Sequence, residues 1–510
     1  MSERSEEAII KDDIKQLHSL GYAQELSRRM KTFSNFAVSF SIICILSGGI
    51  NSIAQGISGA GGGALGIGWI VGCLISLVFA LALAQISSAF PTAGGLYHWG
   101  SILGGVGWGW VTAWLNLIGL VTVLGAINVG TYLFFIGAFG GLLGIENTPL
   151  TQAIFLAIIT ALQAFINHRG IQLTSRLTDF SGYLIFFGAI AIGLAFFAFA
   201  PSWDFSRLWT FKNFSGDAGG GVWPETNSLI YIFALGLLMP IYTITGYDAS
   251  AHTAEETVNA ANAVPRGMVS SVVWSMLFGL FFLAGFTVAI PNMDEAAKQG
   301  WNVFFWTSDT VLPPIIKYIL YLIIFVAQFL CGLATVTSAS RMIYAFSRDE
   351  GLPASSLLKK VSPSFRTPVA AIWLSAILAW LFTIYTPVYS TVVSVTVIFL
   401  FLSFAVPIFF AMRAHGGKWS QMGPWSLGGL FKPIAALSLV AMALIFIIGV
   451  QPPNDKALLI TLGFLVLTGL VWFLIERRRF KGPPQGTMIQ SRMKQIEEAE
   501  RAVGETVMMN

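Results

Sequence analysis

Leu46-Ser47-Gly48-Gly49-Ile50 interrupts the first long apolar stretch of the chain. Tyr242-Thr243-Ile244-Thr245-Gly246-Tyr247-Asp248-Ala249-Ser250 interrupts the sixth, and His252 and Glu255-Glu256 follow at once. Two adjacent glycines inside a helix destabilise it by roughly 1 kcal/mol each relative to alanine. They also free the backbone to leave helical geometry. In the sixth stretch a glycine and an aspartate sit among small polar residues. Gly48 and Gly246 are 198 residues apart. A Gly-Gly pair alone also marks a close-packing face or a kink. Its recurrence as a break at a corresponding place in a second block favours paired broken helices, the pattern of inverted internal repeats.

The stretches around these breaks are membrane spans. The chain has 510 residues, 55% hydrophobic and 11% charged, where a soluble domain carries roughly 25% charged residues. That balance excludes a soluble enzyme, a disordered chain, a coiled coil and a nucleic-acid-binding module, so no nucleic-acid partner is expected. Between Lys31 and Arg169 the only charged side chain is Glu146. A helix needs about 20 apolar residues to cross a bilayer. On that measure twelve spans are expected near 35-56, 66-89, 109-136, 150-167, 178-200, 228-248, 268-290, 315-341, 367-384, 389-411, 432-450 and 457-475. The apolar runs are continuous rather than alternating, which excludes a barrel.

With twelve spans, 24 of the 29 Lys and Arg residues fall on the side of the two chain ends. Only Arg207, Lys212, Lys298, Lys317 and Lys456 fall opposite. This asymmetry places both termini in the cytoplasm and accounts for the net charge of +4 without an anionic partner. The expectation is an integral, multi-pass protein of the plasma or cytoplasmic membrane, surrounded by lipid. No signal peptide is expected, because the first 31 residues are charged. Residues 12–31 are expected either as an amphipathic helix on the inner surface or as a solvated tail. Glu476-Arg477-Arg478-Arg479 reads as a stop-transfer flank, Gly482-Pro483-Pro484 as a breaker, and 488–503 as a further helix. Cys44, Cys73 and Cys331 all lie inside spans and read as packing residues, not a disulfide or metal set. Asn213-Phe214-Ser215 is a glycosylation sequon whose use depends on the source.

Unwinding leaves peptide groups without helical partners, at several kcal/mol each in hydrocarbon. Such backbone persists only where it lines a cavity or binds something. Half-helix N-termini suit a carboxylate, and half-helix C-termini, with exposed carbonyls, suit an ammonium group. A zwitterion uses both without a buried charged side chain.

Further stretches carry a family resemblance. Gln85-Ile86-Ser87-Ser88-Ala89-Phe90-Pro91-Thr92-Ala93-Gly94-Gly95-Leu96-Tyr97 resembles the loop after helix two of the amino acid–polyamine–organocation (APC) superfamily. Ser47-Gly48-Gly49 stands where that superfamily unwinds helix one. Thr245-Gly246-Tyr247-Asp248, with Glu255-Glu256 and Pro265-Arg266, is similar to its helix-six break and following loop. Arg348-Asp349-Glu350-Gly351-Leu352-Pro353, with Thr367-Pro368, resembles its loop after helix eight. Leu20-Gly21-Tyr22, Gln24-Glu25-Leu26 and Arg28 are similar to the amino acid/choline transporter branch, which includes GABA and choline permeases.

The resemblance implies an all-α polytopic membrane protein of the leucine-transporter type. Helices 1–5 and 6–10 form a 5+5 inverted repeat with broken helices 1 and 6, and two helices follow. The implied parts are a tail at 1-34, a first repeat at 35-200, an outer loop at 201-227, a second repeat at 228-411, the last two helices at 412-476 and a tail at 477-510. It implies secondary transport of amino acids or related amines such as GABA by alternating access. The amides of Ser47, Gly48, Gly49 and Ile50 would hold the substrate carboxylate. Carbonyls near Ile43 and Cys44, with those of Tyr242, Thr243 and Thr245 beside Gly246, would hold its amine. Tyr242 stands where relatives place an aromatic gate. Some relatives carry a lysine in helix five, whereas the matching position here is near Ile185 and span five has no lysine.

Asp248 is then the titratable residue best placed for ion coupling, or else a cap for the second half of helix six. Glu255 and Glu256 read with Arg266 as gate ion pairs, and Arg341 as a side chain that snorkels to the interface. Asn51, Asn116, Asn128, Gln163 and Gln328 read mostly as interhelical hydrogen-bonding groups. His98 and His168 show no metal-ligand spacing. No cofactor is expected, and coupling to a proton or to sodium stays open. A channel is disfavoured by the lack of a charged ring or repeated filter loop. An enzyme is disfavoured by the lack of paired carboxylates or a metalloprotease or serine-hydrolase motif. A choline or polyamine permease of the same fold and a non-transporting amino acid sensor are the alternatives. The sequence sets no oligomeric state.

Overall fold

In a computed structural model of the chain, residues 6–385, 389–484 and 487–502 are described. The extreme ends of the two expected tails, 1–5 and 503–510, lie outside them.

Among the described residues, ten helices are long and apolar enough to cross a membrane, and Leu229–Thr243 and Val369–Ile384 are two shorter apolar helices. Together they make the twelve expected spans, in order. Local chemistry sets several boundaries. Thr148 caps span four by accepting the Thr151 N–H at 3.1 Å, with Pro149 in the first turn. Ser228 caps span six through the Tyr231 N–H at 3.2 Å. Spans seven and eight, Ala260–Ala289 and Pro314–Arg348, run past their apolar windows. In span eight the extension is held by Arg341 and Arg348, which are paired with Glu256 and Glu255.

Spans one and six are broken where the glycines fall. Span one is helical over Thr32–Ile43, turns at Cys44 (φ 18°, ψ 85°), widens over Ile45–Gly49, and is helical again over Ile53–Ala60. Span six is helical to Thr243, and Gly246 has φ +85° before the short helix Ala249–His252. The two spans run antiparallel. Asn35 reaches the Ser250 carbonyl at 2.9 Å and Ser39 the Tyr247 carbonyl at 2.7 Å. Gly48 lies against Thr243, and Gly59 near the Ile232 carbonyl.

The remaining packing repeats under exchange of the two five-span blocks. Spans two and seven, three and eight, and four and nine pack on each other. Span one packs on five and seven as span six packs on ten and two; three meets nine and ten as eight meets four and five. That is the pairing a two-fold inverted repeat requires. Span eleven lies against ten and two, and span twelve against ten, with Leu459, Leu467 and Leu474 exposed where lipid belongs.

The N-terminal and C-terminal segments meet on one face, here the terminal face, where His18 lies 2.7 Å from Glu500. The N-terminal segment differs from expectation. Its helix is Glu6–Ser19, ended by Gly21 at φ +81°. Tyr22, Leu26, Arg28 and Met30 then run buried beneath the bundle. It is neither a surface helix over 12–31 nor a solvated tail, because its polar groups bond into the end of span six: the Arg29 and Met30 N–H groups donate to the Glu256 carbonyl at 2.9 and 2.8 Å.

The glycines of the breaks have distinct tasks. A Cβ on Gly48 would sit 2.9 Å from the Thr243 Cα, and one on Gly246 would overlap Ile42. One on Gly49 would make an ordinary 3.4 Å contact with the Phe282 ring. Gly48→Ala and Gly246→Ala are therefore expected to lower stability by about 1–3 kcal/mol each, and Gly49→Ala by clearly less. Thermal melts of the purified variants measure this, and equal losses at all three positions would contradict the packing.

Candidate functional site

The break of span one is wound rather than extended. The Cys44 carbonyl accepts the Ser47 N–H at 2.7 Å and the Gly48 N–H at 3.1 Å, and the Ser47 carbonyl accepts the Ile50 N–H. Gln328 donates to the Leu46 carbonyl at 3.0 Å, and Cys331 to the Ile42 carbonyl at 3.3 Å. In span six the Thr245 hydroxyl closes on the Tyr242 carbonyl at 2.8 Å. Side chains of span eight and of the breaks themselves thus supply partners for backbone that has left the helix, as hydrocarbon demands.

Between the breaks lies a space of about 10 Å³, the room of roughly one water molecule. Ile43, Ser47, Gly48, Tyr242, Thr243 and Thr245 line it, so six of the residues expected from the sequence come together. Four do not. Gly49 faces Phe282, Gly246 packs on Ile42, and Ile50 lines a different, larger space. Cys44 does not line the space, and its carbonyl, the group expected to hold an amine, is taken by the Ser47 and Gly48 N–H groups. The room beside Gly48 is taken by Thr243. Ile42, Val123, Ile127 and Cys331 also line the space and had been missed. Apolar residues in continuous spans carry no signal that separates lining from packing.

The larger space is a vestibule of about 450 Å³ on the face opposite the termini, reached past Asn147 and Trp301 and lined below by Ile50, Asn51 and Tyr389. Tyr389 and Tyr242 meet edge to face, with ring centroids 6.3 Å apart. One ring belongs to the vestibule and the other to the inner space, so this pair is the partition between them.

A small space thus lies between the paired helix breaks. The sequence pattern of the family described as Amino acid permease matches residues 30–474. The chain belongs to the amino acid permease family. Amino-acid permease BAT1 of Arabidopsis thaliana is 32% identical over 500 residues, covering 92% of this chain and 95% of that protein. Its homolog in Oryza sativa subsp. japonica is 34% identical, covering 92% and 94%. A GABA-specific permease of Saccharomyces cerevisiae is 27% identical, covering 92% and 86%. The chain is accordingly an amino acid transporter in a membrane, not an enzyme.

On the terminal face two ion pairs join span eight to the end of span six. Arg348 grips Glu255 through two bonds of 2.9 and 2.8 Å, and Arg341 grips Glu256 through two of the same lengths. These are not the pairs with Arg266 expected from sequence. Arg266 is exposed, whereas Arg341 is fully buried and does not snorkel. The Ala93 N–H also donates to Glu255, at 3.0 Å. Arg348 stacks 3.8 Å above the Tyr22 ring, whose hydroxyl donates to Asp349 at 2.6 Å. His98 stacks on Tyr22 and is buried beside Asp349. Burial pushes the His98 ring below its usual value.

Burial pushes the Glu255 carboxyl up, but the charge and hydrogen bonds of Arg348 and the Ala93 N–H outweigh it and hold it below the ordinary 4.5. Its contribution is therefore full above about pH 4.5 and is lost as pH falls through the depressed value. Removing one partner of a buried pair costs about 3–5 kcal/mol. Glu255→Gln should lower the melting temperature at pH 7 and flatten the acid-side fall in stability. The double variant with Arg348→Met should recover part of the loss. A melt at pH 7 unchanged by Glu255→Gln would show that this pair does not close the face.

Proposed function

We propose that this permease moves a zwitterionic amino acid or a related amine such as GABA by alternating access, using the space between the two breaks as its substrate site. The observation that carries this reading is the convergence of Ser47, Gly48, Tyr242, Thr243 and Thr245 on one space. The half-helix Thr32–Ile43 and the outer half of span six both end there, C-terminus first. Their carbonyl ends suit an amine. The N–H groups of Ser47 and Gly48, now held by the Cys44 carbonyl, are the donors a substrate carboxylate would take over. No acid lines the space, which disfavours a dicationic polyamine.

With both termini cytoplasmic, the vestibule faces outward and the Glu255–Arg348 and Glu256–Arg341 pairs form the inner gate. Inward opening then requires those pairs to part while the Tyr242–Tyr389 partition thickens. The repeats at 35-200 and 228-411 are the bodies that rock against each other. Coupling to a proton or to sodium drives accumulation.

A thermal-shift screen of amino acids and amines, with and without sodium, tests the substrate class. A true ligand at 100 times its Kd stabilises by about 2.7 kcal/mol. The best ligand should enter proteoliposomes saturably, and Tyr242→Ala should raise its KM about tenfold, roughly 1.4 kcal/mol. Uptake untouched by Tyr242→Ala would move the site elsewhere, and binding without uptake would favour a sensor.

A further inference from the structure

Just beyond the span-six break lies a polar cluster that the transport reading leaves unused. The Asp248 and His252 side chains are both fully buried, with His252 Nε2 3.3 Å from Asp248 Oδ2. Asp248 does not cap the short helix that follows it, which removes the capping role considered from sequence. Asn116 donates to the same Oδ2 at 3.3 Å and to the Ser403 hydroxyl at 3.3 Å. Asp248 Oδ1, His252 Nε2 and Asn116 Oδ1 have no hydrogen-bond partner among the described residues.

The tautomer decides what this arrangement holds. His252 Nδ1 faces the Ala93 carbonyl at 3.2 Å. A carbonyl only accepts, so Nδ1 carries a proton. Nε2 then faces a carboxylate oxygen, and two bare acceptors at that distance repel. One proton placed on either Asp248 or Nε2 removes the repulsion and leaves the pair neutral overall. Without it, a net negative charge would sit in a buried site where, among the described residues, the Asn116 amide is the donor to Asp248, and burial of such a charge is costly.

We propose that Asp248 and His252 form a proton-binding dyad that couples proton movement to transport. It rests on the transport reading above. The dyad joins the two parts of the molecule that must move together. Asp248 follows Thr245, which lines the substrate space, by three residues. At the other end, the Ala93 peptide faces His252 with its carbonyl and donates its N–H to Glu255, which holds Arg348 at the inner gate. Loss of the proton is tolerable only once water or a substrate amine reaches the site, so proton release is tied to opening. Proton and substrate affinities then shift each other by the same factor.

The titratable groups around the dyad are few. Tyr247 adjoins it, with its hydroxyl unpartnered. Glu255 and Glu256 follow it and are neutralised by Arg348 and Arg341 of span eight. His98 and Tyr97 lie in the segment Leu96–Gly104, with Asp349 beside them. The half-helix Thr32–Ile43 and span three carry no charged side chain, and Arg266 of span seven and Arg413 of span ten are exposed. The proton of the dyad is therefore not supplied by a neighbouring pair.

The test uses full-length protein in proteoliposomes with a labelled amino-acid mixture that contains GABA. An inside-alkaline gradient without sodium should drive accumulation in the parent. Asp248→Asn and His252→Gln should each lose at least tenfold of that accumulation. Both should keep counterflow but lose its pH dependence. Asn116→Asp, which sets a second carboxyl beside the dyad, should move the pH midpoint up by about one unit, a shift that a purely structural role would not produce. The proposal is overturned if either loss variant accumulates within twofold of the parent with the same pH profile, if Asn116→Asp leaves the midpoint in place, or if the parent accumulates only on a sodium gradient. Absence of counterflow in the parent for every probe would instead bring down the transport reading on which the dyad rests.

Discussion

A peptide group released from a helix inside a bilayer must find a partner, because hydrocarbon offers none. Much of this molecule answers that constraint. Spans one and six break at the same depth, run antiparallel, and bind each other through Asn35 and Ser39. Gln328 and Cys331 of span eight take up carbonyls that span one has freed. Gly48 and Gly246 then serve contact more than flexibility alone, since they let one broken backbone approach the other closely enough for such bonds to form. A small space remains between the two breaks.

The same economy governs charge. Spans one to four hold no Asp, Glu, Lys or Arg, and the two acids that follow the break of span six are paired. Glu255 and Glu256 each meet an arginine from span eight through two bonds. The N-terminal segment lies over them, and Arg348 stacks on Tyr22. Glu500 near the C-terminus accepts the Gln24 N–H at 2.8 Å, so both tails are joined to the closed face. The terminal face is thus a layered structure in which a local change of charge reaches several elements. Asp248 and His252 sit between this layer and the breaks, where unpartnered polar atoms are most costly.

Much of the architecture was legible in the chain because it follows from one-dimensional signals. Span number and order come from the length of apolar runs. The position of the breaks comes from Gly48-Gly49 and Gly246, and the family from motifs in loops that the membrane does not make degenerate. Six lining residues were legible because they belong to the break itself. Val123, Ile127 and Cys331 were not, because an apolar residue on a lining face looks the same as one on a packing face. Arg341 was misread because a lone arginine at a span end usually reaches for water. Here Glu256 lies within reach, and only a three-dimensional contact across 85 residues reveals it. Arg266 stands close to Glu255 in the chain, yet Arg348 supplies the pair from 93 residues away.

The amino-acid sequence by itself determined that this chain crosses a membrane many times, that two of its helices break, and that basic residues gather on one side. These follow from hydropathy, helix propensity and charge count, which are sums over neighbours in the chain. Tertiary structure alone decided which amides are already bound by the Cys44 carbonyl, which arginines close the terminal face, and that Asp248 faces His252 instead of capping a helix. Those outcomes depend on side chains from distant spans meeting in a medium that leaves no polar atom cheaply unpaired.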